Sequence, residues 1–141
     1  MPAFWDASAL VPLCVPGQAG LRGRPLLAEH SVAAWWGSPV EITSAIARLR
    51  REGHINAGQE DAARARLDML RRSWREVEPV GEVRELAVEQ LGRFDLRAAD
   101  ALQLAAALVW CNRRPARRVF ICRDRRLALA ARNAGFTVLE P

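Results

Sequence analysis

Three short runs in which every side chain is apolar restrict the folds open to this chain more than any other feature: Ala3 to Trp5, Val32 to Trp36 and Val119 to Cys122. A strand with one wet face alternates apolar and polar residues, whereas an unbroken apolar run belongs to a strand covered on both sides. Between these runs lie segments whose apolar residues recur at helical spacing. Strands alternating with helices imply a parallel α/β sheet with helices on both faces. FTVLEP, residues 136–141, reads as a last strand.

The helices are marked with differing clarity. SPVEITSAIARLRREG places Ile42, Ala45, Ile46 and Leu49 on one face, with Pro39 early and Gly53 late, and is an amphipathic helix. Ala63, Leu67, Leu70 and Trp74 mark a second from Gln59 to about Glu76, and residues 82–91 a shorter third. Residues 96–110, LRAADALQLAAALVW, are apolar on nearly every face and read as a central buried helix, for which Asp95 is the expected cap. RRLALAARNAG is a last helix with a glycine stop, SALVPL begins a first one, and PGQAGLRGRP between them is expected to be a loop.

At 141 residues the chain suits one domain spanning 1–141. Its start lacks the basic opening and long apolar run of a secretory signal, so a cytoplasmic protein with no membrane association is expected. Cys14, Cys111 and Cys122 are odd in number and far apart, and only His30 and His54 are present. Neither a disulfide framework, a zinc site nor a serine–histidine triad follows. The chain contains no lysine, which excludes a phosphate-binding Walker loop and a receiver-type phosphoacceptor domain. The net charge is +5 and, without lysine, is carried by arginine. Such a balance is an ordinary solvated surface in many chains, but Arg113, Arg114, Arg117, Arg118, Arg123, Arg125 and Arg126 cluster in one short stretch that suits a phosphate backbone.

Any chemistry therefore falls to the acids. Asp6 and Asp124 end apolar strands, at the edge of a parallel sheet where ligands bind, and Glu41 and Asp100 lie near helix starts. Each has an ordinary explanation: Asp6 and Asp124 as helix caps, Glu41 as the return half of a capping box with Ser38. Asp100 is harder to explain, because in an apolar helix an unpaired buried carboxylate costs several kcal/mol. If the four meet, each pair of charges ~4 Å apart repels by ~4 kcal/mol at an effective dielectric near 20, which demands protonation, a cation or a neutralising arginine such as Arg123 or Arg125. Oxygen ligands without histidine or thiolate select Mg²⁺ or Mn²⁺.

FWDASALVPL, PVEITSAIARL, LRAADALQLAAAL and FICRDRRLALAARNAGFTVLEP resemble, in order and from residue 3 to 141, the acidic motifs of PIN-domain ribonucleases, particularly VapC-type toxins of type II toxin–antitoxin pairs. The resemblance implies a three-layer sandwich with a central, mostly parallel sheet flanked by helices. It makes Asp6, Glu41, Asp100 and Asp124 the catalytic quartet and the ligands of Mg²⁺ or Mn²⁺, with Ser8 supporting Asp6. The implied reaction is endonucleolytic hydrolysis of RNA, Arg123 and Arg125 holding the backbone, and the implied partners are a cognate antitoxin and a second copy in a homodimer. Family members commonly carry histidine where this chain has Gln103, a departure expected to leave the quartet untouched.

Two other readings compete. A PIN-like module that binds nucleic acid or protein without cleaving it would keep some acids only as caps. A phosphohydrolase with an aspartate nucleophile would favour Asp-x-Asp, but Asp6 is followed by Ala7 and Ser8.

Overall fold

A computed structural model describes residues 1–141 and contains five strands and seven helices. The strands are β1 (Pro2–Trp5), β2 (Ser31–Trp35), β3 (Arg75–Val77), β4 (Val119–Ile121) and β5 (Thr137–Leu139). All are parallel, in the spatial order β3-β2-β1-β4-β5. The helices are α1 (Ala7–Cys14), α2 (Gln18–Glu29), α3 (Ser38–Arg51), α4 (Ala57–Ser73), α5 (Gly81–Arg93), α6 (Ala98–Trp110) and α7 (Arg125–Ala134).

The apolar runs form strands because both of their faces are covered. Phe4, Ala33, Trp35 and Phe120 enter one core with α5, α6 and α7, while Ala3, Trp5, Val32, Ala34 and Ile121 enter the other with α1, α3 and α4. Successive strand residues thus alternate between two cores, as the period-2 pleat requires. On the first face Phe4 stacks on Phe120 with ring centroids 5.4 Å apart. The architecture is an α/β/α sandwich, and its sheet is parallel throughout.

The structure departs from the sequence expectation at several elements. Residues 16–25, read as a Gly/Pro/Arg loop, fall from Gln18 onward within α2. Its glycines serve contact: a Cβ on Gly20 would stand 2.5 Å from the Pro12 carbonyl oxygen, and one on Gly23 3.0 Å from Leu13 Cδ2. Small residues let α2 approach α1, so packing outweighs their low helix propensity. The three-residue β3 carries exposed Arg75 and half-buried Glu76, and joins the sheet as an edge strand on the strength of its backbone pairing with β2.

At α6, Asp95 is no cap. Arg97 holds that position, while the exposed Asp95 pairs with Arg126 at 3.8 Å. Asp100 lies in the first turn, half-buried rather than enclosed. Gly37 caps α3 in place of Ser38, which is buried inside the helix, so no capping box forms with Glu41. At the far end of α7, Gly135 takes a left-handed conformation with φ +113°, as a helix stop requires.

Gly20 separates propensity from packing. Gly20→Ala raises helix propensity by ~1 kcal/mol but drives a methyl group into backbone, and overpacking of this kind costs ~1–3 kcal/mol. Denaturant unfolding is expected to show a net loss of stability.

Candidate functional site

The carboxyl edge of the sheet is where the chain leaves β1 and β4 for α1 and α7. Asp6 ends β1 as the cap of α1, its side chain accepting from the Ser8 amide at 3.1 Å. Asp124 caps α7 by accepting from the Leu127 amide at 2.8 Å. Ser8 joins the two turns: its hydroxyl donates to Asp6 Oδ2 and accepts from the Arg123 amide at 2.9 Å. A direct backbone bond from Asp6 N–H to the Ile121 carbonyl, 2.9 Å, completes the staple. Ser8 therefore holds the first and last acidic turns in register.

Glu41 and Asp100 arrive from opposite layers, on α3 and α6, and Gln103 connects those helices. Its amide nitrogen donates to Ser38 Oγ at 3.0 Å and to Glu41 Oε1 at 3.2 Å. Gln103 is fully buried, and its own carbonyl oxygen has no partner. The substitution expected to be remote from the acids is in contact with one of them. One helical turn separates Asp100 from Gln103, so the same face of α6 presents a carboxylate and the amide that orients its neighbour.

Electrostatic coupling ties the four acids together. Burial raises Asp6 from 3.8 to about 6 against its bonds from Ser8 and Ala7, and the charge of Asp100 adds to the rise. Burial likewise raises Glu41 to about 7, reinforced by the charges of Asp6 and Asp100 and opposed by Gln103. Asp100 is raised by burial and then by Asp124, with the Arg97 amide and the charges of Arg97 and Arg126 opposing. The chain Glu41, Asp6, Asp100, Asp124 is thus continuous. No arginine forms an ion pair with any of the four, so the neutralising role conceived for Arg123 or Arg125 is unfilled.

Cys122 also belongs to this edge, which its spacing in the sequence gave no means of foreseeing. Its buried sulfur lies 3.8 Å from Asp6 Oδ2 and accepts from the Asp124 amide at 3.3 Å. Burial first, and then the charge of Asp6, pushes the thiol strongly upward, so it stays neutral as a packing group and weak hydrogen-bonding neighbour.

Beside Asp100 and Asp124 opens a cleft of about 550 Å³, walled by Arg97, Arg125 and Arg126. Arg125 lines this cleft together with Arg97 and Arg126. Arg123 is exposed but does not line the cleft; it contributes its backbone amide to Ser8. The donor set, hard oxygens unpaired with arginine, of which those of Asp6, Glu41 and Asp100 are raised chiefly by burial, fits a divalent cation chemically. No three acidic, histidine or cysteine side chains stand together at ligand spacing, so the carboxylates would have to draw inward to share an ion.

No family model and no curated protein matches the sequence. Solved structures do match the fold. A toxin–antitoxin complex from Klebsiella pneumoniae aligns with a TM-score of 0.64 at 16% identity, over 89% of this chain and 90% of that one. PAE2754 from Pyrobaculum aerophilum aligns at 0.62 and 22% identity, over 98% and 89%. FitAcB from Neisseria gonorrhoeae aligns at 0.63 and 15% identity, over 99% and 97%. At such identities the likeness is one of fold.

Two predictions follow from the electrostatics. Because Asp6 and Glu41 are raised in the folded state, their contribution to stability is complete below pH 4 and is lost as the pH rises through about 6 and 7. For buried Asp6 that loss is on the order of 3 kcal/mol. Metal-free protein is expected to melt lower at pH 8 than at pH 5, with Glu41→Gln reducing the difference. Gln103→Met leaves Ser38 and Glu41 without their donor, a loss of ~1–3 kcal/mol readable by denaturant unfolding.

Proposed function

From a PIN-like sandwich that gathers four coupled carboxylates at one sheet edge, we propose a divalent-metal-dependent endoribonuclease acting as the toxin of a type II toxin–antitoxin pair. The observation that carries this reading is the coupled quartet: fold and burial hold four carboxylates together, none of them in an ion pair with arginine. Asp6, Asp100 and Asp124 would hold Mg²⁺ or Mn²⁺. A bound divalent ion would supply Lewis acidity, making water more acidic and offsetting charge on the phosphate.

The protein's own groups perform the rest. Glu41, raised to about 7, has a proton affinity suited to orienting a water and accepting its proton near neutrality. Ser8 and Gln103 fix the carboxylates of Asp6 and Glu41. Arg97, Arg125 and Arg126 line the cleft beside Asp100 and suit the phosphates flanking a scissile bond in RNA.

The partner follows from the structural neighbours, one of which was solved as a toxin–antitoxin complex. Between α2 and α4 runs a groove lined by Leu13, Leu27, Met69 and Leu70 together with Arg24 and Arg66. It suits an antitoxin segment that combines apolar anchors with acidic residues. A homodimer in the cytoplasm completes the reading, and no helix is long and apolar enough to cross a membrane. The absence of three acids at ligand spacing favours a second reading, a non-cleaving PIN-like module.

Purified protein is expected to cleave structured RNA with Mg²⁺ or Mn²⁺, to stop on chelation, and to lose ~100-fold or more of its activity in Asp100→Asn and Glu41→Gln. Wild type and Asp100→Asn cutting equally, or neither cutting under any divalent metal, would leave the non-cleaving module.

A further inference from the structure

The arginine cluster conspicuous in the sequence is divided by the fold. Arg123, Arg125 and Arg126 follow β4, at the carboxyl edge. Arg113, Arg114, Arg117 and Arg118 precede β4, at the opposite edge of the sheet, and the acidic site leaves them without a task. Pro2 and Trp5 are the ends of β1, so at ~3.3 Å per residue the two edges lie about 10 Å apart along that strand alone.

That amino edge contains a cavity of about 500 Å³, lined among others by Pro2, Ser31, Arg75, Trp110 and Arg118. Two guanidinium groups face it and no carboxylate lines it. Neither Arg75 nor Arg118 forms an ion pair anywhere in the molecule, whereas Arg113, in the loop before β4, is bound to Glu82 at 3.1 Å. The Arg118 guanidinium lies over the Trp110 ring, 4.2 Å from its centroid. Both residues are half-buried, so the stack is part of the wall. The loop that delivers Arg118 is held in an uncommon shape, with Asn112, Arg113 and Arg117 at φ 52°, 59° and 65°.

Two guanidinium groups free of ion pairs and lining one cavity are available to an anion, and their planar forks match phosphate oxygens. An indole–guanidinium stack presents a flat, electron-delocalised surface suited to a nucleobase. A hydroxyl from Ser31 adds a further donor. The geometry points to a second ligand site at the amino edge of the sheet that binds a nucleotide unit, its phosphate on Arg75 and Arg118 and its base against the Trp110–Arg118 stack. The same unit is offered by a free nucleoside monophosphate and by a single-stranded RNA. The site is independent of the acidic edge and of the nuclease assignment.

The test titrates full-length protein, in chelator so that no RNA is hydrolysed, with adenosine monophosphate, inorganic phosphate and a short unstructured RNA. The readout is the indole N–H resonance of Trp110, assigned with Trp110→Phe, together with calorimetry. Saturable binding is expected that shifts this resonance and weakens ~10-fold or more in Arg75→Ala/Arg118→Ala, with Arg118→Lys recovering charge but not the stack. Thermal melting of the variants, expected to match wild type, shows that the substitutions leave the fold intact. Binding of the monophosphate identifies a free nucleotide as sufficient, and binding of the RNA alone identifies the strand as the source. Inorganic phosphate binding as tightly as the monophosphate overturns the nucleotide assignment. No shift at Trp110 with any probe, or affinity unchanged in the double variant, overturns the site.

Discussion

Burial of carboxylates at one edge of a parallel sheet, with their mutual repulsion added to it, is the constraint on which the rest of the site depends. A parallel sheet sends successive strands out at the same edge, so the turns after β1 and β4 are neighbours whatever their separation in the chain. Acids placed in those turns, and on α3 and α6 above them, meet in a partly desolvated space. The fold tolerates this because it spends hydrogen-bond donors on the charges: Ser8 on Asp6, Leu127 on Asp124 and Gln103 on Glu41. Those donors orient the side chains without cancelling their charge, and no arginine is paired with them. The residual strain is electrostatic, and the divalent cation proposed for the site would relieve it.

Helix capping and membership of the cluster are compatible roles. Asp6 and Asp124 cap α1 and α7 while also facing the other acids. One carboxylate oxygen satisfies a backbone amide and the second stays free, so a cap is a way of fixing a carboxylate at a strand end. Glu41 is different: with Gly37 as the cap of α3, its carboxylate is turned toward Gln103.

What the sequence left illegible has specific causes. Glycine and proline mark loops in the absence of context, yet in α2 the glycines answer to the surface of α1, a partner remote from any local pattern. Three residues of β3 are too few and too polar to display a period. The contact of Gln103 with Glu41 spans 62 positions, and Cys122 meets Asp6 across 116, so no spacing rule reaches either pair. The basic cluster read as one patch is two, because β4 passes through its middle and carries the halves to opposite edges.

Local chemistry by itself determined the class of the fold and the identity of the four acids. Unbroken apolar runs point to a sheet covered on both sides, and a chain without lysine, with scattered cysteines and two histidines, leaves carboxylates as its candidate functional groups. Tertiary structure alone decided that those acids couple in a continuous chain, that Gln103 and Ser8 hold them, and that Arg75 joins Arg118 over a separate cavity. The reason is physical: propensity and periodicity act over a few residues, whereas electrostatic coupling acts through space, and only the closed sheet brings those groups within its range.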